Sequence, residues 1–246
     1  MDRMLYIGMT GAKHAMRSLE STNNNLANAS TPGFREDFAQ FRSMPVQGPG
    51  YNSRAYAQVE RPGINFEAGP LQSTGRDLDV AIQGEGFFAV QDEQGEPAYT
   101  RRGDFRVSAG GILENGAGQP VLGENGPVAV PPNSSIEIGA DGSITVQPEG
   151  APPNAVAVVD RLQLVNPDLE DLRKGNDGLL RRADGEPAPA DGEVRVVAGA
   201  LEGSNVSPVE SLVQMIELQR KHEMQVKVMK AADDNAQSTA QVMRLQ

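Results

Sequence analysis

The carboxyl-terminal stretch from Val209 to Gln246 contains neither glycine nor proline, in a chain that carries 27 glycines and 17 prolines. A helix start stands immediately before it, in Ser207, Pro208 and Glu210. Serine caps free amide groups, proline favours the first helical position, and a glutamate three residues after the cap completes a capping box. This stretch is therefore predicted to form one long helix.

An apolar stripe follows the predicted helix, formed by Leu212, Met215, Ile216, Val226, Met229, Ala236, Ala240 and Met243. Charged pairs at i,i+4 spacing, such as Glu217 with Lys221, stabilise a helix by only about 0.2–0.5 kcal/mol each. Most helical stability in proteins comes from packing of the apolar face against other groups. The helix is thus expected to need a partner surface.

A second helix is predicted at the amino terminus, where Leu5, Ala12, Leu19 and Leu26 recur at a spacing of seven. Small residues between them, such as Gly8 and Ala15, are typical of a seam that packs closely against another helix. The helix is expected to stop before Pro32 and Gly33, because the residue preceding a proline avoids the helical region.

The middle of the chain changes to short apolar runs and alternating patterns separated by Asn-Gly and Asp-Gly turns. The predicted strands are Leu78–Ile82, Phe87–Val90, Phe105–Val107, Ile136–Ile138, Ile144–Val146, Ala155–Val159, Leu162–Val165 and Val194–Val197. The clearest predicted hairpin joins Ile138 to Ile144 through Asp141 and Gly142. The segment 35–76 is less periodic and richer in Pro-Gly pairs, so we expect an extended connector there.

The predicted fold class is mainly β with α. Both termini contribute to a discontinuous, coiled-coil-like helical layer, followed by an extended connector and a central β-rich domain. The expected organisation is an amino-terminal assembly helix at 1–34, a connector at 35–76, a β-rich domain at 77–202 and a carboxyl-terminal assembly helix at 203–246 that pairs with 1–34.

Charge and composition exclude several classes of function. A net charge of −11 disfavours nucleic acid and anionic lipid as partners, since both require clustered Lys and Arg. No cysteine is present, so disulfides and thiolate zinc sites are excluded. We also find no apolar run long enough for membrane insertion and no Sec-type signal, so any export is expected to proceed without a cleaved signal peptide.

Residues that could support catalysis are few. His14 and His222 lie one in each predicted helix and are interpreted as ordinary polar positions. Asp77 and Asp79 would share a face of a strand, an arrangement that could resemble a paired-carboxylate site, but a solvated strand face or turn cap is favoured. We therefore predict no catalytic, cofactor-binding or metal-binding residue and no cofactor.

Four segments together resemble the family of flagellar rod and hook proteins. They are Asn24–Phe34 (NNLANASTPGF), Leu78–Val90 (LDVAIQGEGFFAV), Tyr99–Phe105 (YTRRGDF) with the Gly111–Leu113 and Pro120–Gly123 runs that follow, and Gly203–Val206 (GSNV) with Met215–Arg220 (MIELQR). They span nearly the whole chain in the family's order. The helix segment Glu223–Ala236 is most similar to proximal rod members, with distal rod members as the alternative.

The resemblance implies a structural subunit rather than an enzyme. It implies export through the flagellar type III apparatus and assembly in the periplasmic rod of the basal body. The implied partners are copies of the chain itself and other rod proteins. In that family the terminal helices form an inner tube and the β domain lies outside.

We predict that the subunit interface is formed by both predicted helices and by the segment where the chain leaves the first one. The predicted interface residues are Leu5, Ala12, Leu19, Leu26, Asn28, Pro32, Gly33, Phe34, Leu212, Ile216, Val226 and Met229. The alternative is a soluble β-rich binding module, such as an adhesin, whose helices form a closed oligomer. An enzyme that uses Asp77 and Asp79 is the third hypothesis.

Overall fold

A computed structural model describes residues 2–39, 41–45, 55–59, 63–148 and 156–244 of the chain. The chain divides into two compact units. The helical unit comprises Met1–Ala29, Glu36–Asn65 and Val206–Gln246, and the β unit comprises Ser30–Arg35 and Phe66–Asn205. The mainly β with α fold class is confirmed.

The helical unit is built on two helices, α1 (Asp2–Ala27) and α2 (Pro208–Arg244), which pack against each other. The predicted start of α2 is confirmed, because the backbone amide of Glu210 donates a 3.4 Å hydrogen bond to the Ser207 hydroxyl. Helix α1 ends at Ala27, a few residues before the predicted stop, in a turn where the Asn28 amide donates to the Asn24 carbonyl.

Short strands make up the rest of the described chain. In order they are β1 Asp37–Phe38, β2 Phe41–Pro45, β3 Ala55–Val59, β4 Gly63–Ile64, β5 Leu71–Ser73, β6 Val80–Gln83, β7 Phe87–Gln91, β8 Pro97–Thr100, β9 Phe105–Val107, β10 Leu113–Asn115, β11 Leu122–Gly123, β12 Gly126–Pro127, β13 Asn133–Ile138, β14 Ser143–Pro148, β15 Ala157–Arg161, β16 Leu164–Val165, β17 Leu172–Lys174, β18 Leu180–Arg182, β19 Arg195–Ala198 and β20 Ala200–Glu202. A single 3-10 turn among the described residues, Leu169–Asp171, precedes β17.

The segment expected to be an extended connector has extended backbone in its described residues, and its strands are also paired. In the helical unit β1 pairs with β4 and β2 pairs with β3, both antiparallel. Strand β5, by contrast, belongs to the β unit, where it pairs with β20. The pattern analysis did not predict this pairing because the strands are short and interrupted by Pro and Gly.

The core of the β unit lies around a five-stranded sheet of order β16-β7-β8-β18-β17 and a three-stranded sheet of order β13-β14-β15. Fully buried aromatic and β-branched side chains fill it, and the rings of Phe88 and Phe105 meet edge to face with centroids 5.1 Å apart. Such pairs contribute about 0.5–1.5 kcal/mol beyond their buried area. These few aromatics thus sit where they bury the most surface.

The predicted strands are found with shifted ends. Leu78 lies in a turn before β6, and Leu162 precedes β16 in an isolated bridge to Gly123. Ala155 lies outside the described residues. The Asp141-Gly142 hairpin is confirmed: Ile138 pairs with Ile144, and Gly142 has a φ of 82°, a backbone conformation that glycine adopts without a steric cost.

Candidate assembly surface

The contact between α1 and α2 is made largely by small and polar side chains of α1. Its buried positions are Gly8, Ala12, Ala15, Ser18, Thr22 and Asn25, close to a heptad spacing. On α2 the positions that recur at three and four residues are Ser211, Met215, Leu218, His222, Gln225, Met229, Ala232 and Ala236, which are buried or half-buried. Small residues on one helix let the longer side chains of the other approach its backbone.

Gly8 and Gly11 of α1 lie directly against side chains of α2. A Cβ atom added at Gly8 would lie 2.8 Å from the Cγ of Met229, and one added at Gly11 would lie 2.9 Å from the Cδ of Gln225. Both distances are shorter than normal van der Waals contact. Glycine is therefore required at Gly8 for the helices to pack as they do.

Apolar side chains remain exposed on the faces of both helices that point away from this contact. On α2, Leu212, Ile216 and Val226 are 48%, 52% and 44% exposed. The same faces also carry Val209, Val213, Met224 and Val228 on α2, and Tyr6, Ile7, Met9 and Met16 on α1. Exposed apolar surface of this extent is typical of a protein–protein interaction site.

The predicted interface residues on the helices fall into three groups by exposure. Leu212, Ile216 and Val226 lie on the exposed faces, whereas Ala12 is buried. The other four, Leu5, Leu19, Leu26 and Met229, are half-buried. The buried positions of α1 include Ala12 and the small residues Gly8 and Ala15, which the spacing had indicated. They also include Ser18, Thr22 and Asn25, which it had not.

Asn25 is a structural residue that the pattern analysis did not select. Its side-chain amide donates to the Asp37 carbonyl at 2.7 Å, and its side-chain oxygen accepts from the Asp37 amide at 2.9 Å. The Ser21 hydroxyl donates to the same carbonyl at 2.9 Å. A buried side-chain amide that pairs with both backbone groups of Asp37 fixes strand β1 against α1. The run of asparagines at the end of α1 was the available signal.

A cavity of about 440 Å³ lies in the helical unit between α1, β1 and α2. Its lining combines small residues such as Gly11 and Ala15 with the polar side chains of Asp37 and Lys221. The volume is that of a small-molecule site. Most of the lining residues are polar or charged, and they also include His14, Thr22 and Glu36.

The exit segment after α1 is held within the β unit. Gly33 has a φ of 67°, its amide donates to the Glu202 carbonyl at 2.7 Å, and a Cβ there would overlap the backbone of Arg101. The Phe34 ring lies 3.9 Å below the Nζ of Lys174. Pro32 and Asn28 are half-buried. The Pro-Gly pair therefore turns the chain and seats it against the strands.

Glu202 accepts charge-assisted hydrogen bonds from two arginines in the interior of the β unit. One carboxylate oxygen lies 2.7 Å from Arg35 and the other lies 3.1 Å from Arg101. Burial lowers the pKa of both arginines from the ordinary value, while the nearby Glu202 raises it. Arginine nevertheless stays cationic in proteins, so the cluster keeps two positive charges on one carboxylate.

The carboxylate pair considered for catalysis does not form. Asp77 lies exposed in a turn, whereas Asp79 is buried at 1% exposure, so the expected shared face is wrong. The chain turns before β6 and does not continue as a strand through Asp77. Among the described residues no group of His, Asp and Glu is arranged to hold a metal ion. No helix within the described ranges is long and apolar enough to cross a bilayer.

Three family profiles match the chain in order. Residues 5–35 match the flagella basal body rod protein profile, and residues 81–146 match the D1 domain profile of the flagellar hook protein FlgE/F/G. Residues 197–242 match the carboxyl-terminal profile of the flagellar basal body rod FlgEFG protein. The matches cover both helices and the strands β6 to β14.

Full-length relatives agree with these profiles. The flagellar basal-body rod protein FlgF of Salmonella typhimurium (strain LT2) is 40% identical over 251 residues, covering 100% of both chains. FlgF of Escherichia coli (strain K12) is also 40% identical over 251 residues, with the same coverage. FlgG of Bacillus subtilis (strain 168) is 31% identical over 271 residues, covering 99% of this chain and 100% of the relative. The chain belongs to the flagellar basal-body rod protein family.

Proposed function

We propose that the chain is a structural subunit of the bacterial flagellar basal-body rod, which polymerises through the exposed faces of its helical unit. The observation that carries this proposal is the row of exposed apolar residues on two helices that already cover each other, in a chain with full-length rod-protein relatives. Burying a Leu or Ile side chain contributes about 1.5–3 kcal/mol relative to leaving it exposed. Contacts between subunits would supply that burial.

The partners in this proposal are copies of the chain itself and other rod proteins. A contact between two different faces, the outer face of α1 in one subunit and that of α2 in the next, does not close on itself and continues as a helical assembly. The cavity beside α1 offers space for side chains of the neighbouring subunit. No catalytic step is part of the proposal.

The degree of similarity supports a finer position in the rod. The FlgF proteins of Salmonella typhimurium and Escherichia coli are 40% identical to the chain, whereas FlgG of Bacillus subtilis is 31% identical. We therefore propose the proximal rod, where the resemblance places proteins of the FlgF type, with transmission of torque as its role. Export through the type III apparatus without a cleaved signal and assembly in the periplasm belong to the same proposal.

A single added charge tests the proposed interface. Ile216→Glu places a carboxylate on an exposed apolar face without altering the contact between α1 and α2, so the monomer should remain folded. Gln94→Glu adds the same charge at an exposed polar position of the β unit, outside the proposed interface. In cells that lack their own copy of the gene, Ile216→Glu should prevent incorporation into purified basal bodies, whereas Gln94→Glu should not.

Normal incorporation of Ile216→Glu would contradict the proposed interface. Sedimentation of the purified chain separates the proposal from the closed-oligomer alternative. A subunit of an open assembly stays monomeric or grows with its partners, whereas a closed oligomer reaches one fixed size at all concentrations above its dissociation constant. A fixed small oligomer would favour the binding module.

A further inference from the structure

The covalent chain enters or leaves the β unit at four points: before Ser30, after Arg35, before Phe66 and after Asn205. Any load that passes along the polypeptide between the two units is carried by the segments next to these points. These junction segments are 30–35, 66–69 and 202–205. Their attachment within the β unit therefore matters for a subunit whose proposed function is mechanical.

All three junction segments converge on Glu202. Its carboxylate binds Arg35 of the first segment and accepts from the Gly69 amide of the second at 3.1 Å, while its own backbone carbonyl accepts from Gly33 at 2.7 Å. Its side chain is 1% exposed. One residue thus holds segments that lie far apart in the sequence.

Further hydrogen bonds join the junction segments to one another. Arg35 donates to the Glu67 carbonyl, and the Asn205 side chain donates to the same carbonyl at 3.0 Å. The Asn205 amide donates to the Phe34 carbonyl at 3.3 Å. The Glu67 carbonyl thus accepts hydrogen bonds from both the first and the third junction segment.

Arg101 anchors the cluster to the sheet. It follows strand β8, binds the second oxygen of Glu202 at 3.1 Å, and donates to the Gly84 carbonyl at 2.6 Å. Its guanidinium also lies 5.3 Å from the centre of the Phe87 ring. Through Arg101 the junction segments are attached to the core strands of the β unit.

Among Arg35, Arg101 and Glu202, Glu202 is the residue whose loss leaves the most uncompensated charge. Both arginines are buried, and Glu202 is the acceptor of an ion pair with each of them. Loss of either arginine would leave a neutral pair, whereas loss of the carboxylate would leave two buried like charges. Removing one partner of a buried ion pair is strongly destabilising because it leaves an uncompensated charge.

We propose that Glu202 is a positioning residue for assembly: it clamps the three junction segments to the β unit, so that load passing along the polypeptide reaches the core strands of that unit. This inference rests on the proposed rod function. Arg35, Arg101 and Glu202 are called the junction clamp. The proposal predicts that breaking the junction clamp frees the junction segments before the core strands of the β unit unfold.

The test compares Glu202→Gln with Asp92→Asn in the full-length chain. Asp92 is a matched control, because it is a buried carboxylate of the same unit that binds Arg181 at 2.7 Å but contacts no junction segment. Hydrogen exchange at residues 30–35 and 66–69 should accelerate about tenfold or more in Glu202→Gln while exchange in β7 stays slow. Asp92→Asn should leave exchange in the junction segments unchanged.

Incorporation into basal bodies gives a second readout, measured under conditions where both variants are folded. Glu202→Gln should assemble poorly at a temperature where both variants are folded by near-UV circular dichroism, and Asp92→Asn should assemble normally. Equal hydrogen-exchange rates in the junction segments of the two variants would overturn the proposal. It would also be overturned if the amount of each variant incorporated depended only on its melting temperature. The exchange measurement does not involve the rod, so its result is independent of the proposed function.

A milder variant covers the case in which Glu202→Gln does not fold. Glu202→Asp keeps the charge but is one methylene shorter, so it cannot hold both arginines at their present distances. Glu202→Asp should accelerate hydrogen exchange in the same junction residues as Glu202→Gln does, but by a smaller factor. Unchanged protection in Glu202→Asp, with full incorporation, would also overturn the proposal.

Discussion

Gly8 of α1 lies directly against Met229 of α2: a Cβ at Gly8 would come within 2.8 Å of the Met229 Cγ. A side chain at this position of α1 would have to displace Met229. This relationship explains why a glycine stands inside a helix, a position where it costs about 0.5–1 kcal/mol relative to alanine.

Gly8→Leu should therefore separate α1 from α2. A leucine side chain has no space between the helices, and overpacking typically costs about 1–3 kcal/mol. We expect lower helical circular dichroism and a lower melting temperature for the helical unit. Met9→Leu, at a position that is 51% exposed on the same helix, should change neither quantity. A Gly8→Leu variant with wild-type helicity would show that the contact is not required.

Gly33→Ala should destabilise the β unit by about 2–5 kcal/mol, combining the cost of a left-handed residue with displacement of the Arg101 backbone. Gly75→Ala is the matched control, because Gly75 also has a positive φ, 71°, but a Cβ added there would meet no other atom within 4 Å. The control should lose only about 1–2 kcal/mol. Urea unfolding of both variants measures the difference, and equal losses would contradict the packing role of Gly33.

Asn25→Asp should weaken the attachment of β1 to α1. The aspartate keeps an acceptor for the Asp37 amide but places a second oxygen against the Asp37 carbonyl, which costs about 1–3 kcal/mol. Asn24→Asp makes the same substitution at an exposed site in the same helical turn. Hydrogen exchange at residues 36–39 should accelerate only in Asn25→Asp. A similar response of both variants would indicate an effect of charge near the helix end.

Asp141 gives a pH dependence of known sign. Hydrogen bonds from Ser143, first from its hydroxyl and then from its amide, lower the pKa of Asp141 from 3.8 to about 2. Because the folded pKa is depressed, the stabilisation is fully present above the unfolded value and is lost as pH falls through about 2. Carboxyl NMR shifts should give this pKa, and Ser143→Ala should raise it toward 3.8.

The control for this prediction is Asp141→Asn, which cannot titrate. It should remove the part of the acid-induced loss of stability that arises at this turn. Since the Asp141 side chain is 46% exposed, the change should be small compared with global acid unfolding. An Asp141 pKa that remained at 3.8 in the native protein would contradict the hydrogen bonds seen in the hairpin.

The free monomer should exchange its helix amides faster than those of β7. Exposed apolar faces leave α1 and α2 with fewer contacts than the strands of the core, and helices without full packing are marginal. Hydrogen exchange of the dilute chain measures this. Protection of both helices equal to that of β7 would mean that the monomer does not need neighbours to stabilise them.

Local chemistry in the sequence determined where the elements begin and turn. Ser207 and Pro208 set the start of α2, and the Asp141-Gly142 pair set the β13–β14 hairpin, because caps and tight turns involve only neighbouring residues. The apolar stripe of α2 is also a property of the sequence, and three of its members, Leu212, Ile216 and Val226, lie on the surface of the single chain.

Only the tertiary structure decided which residues meet. The seam of α1 adds Ser18, Thr22 and Asn25 to the expected Gly8, Ala12 and Ala15. Close approach of two backbones favours small side chains over the most apolar ones. The bond between Arg35 and Glu202 joins residues near opposite ends of the chain. No periodic pattern encodes such a pair, since a buried ion pair depends on how distant segments fold around it and not on their spacing.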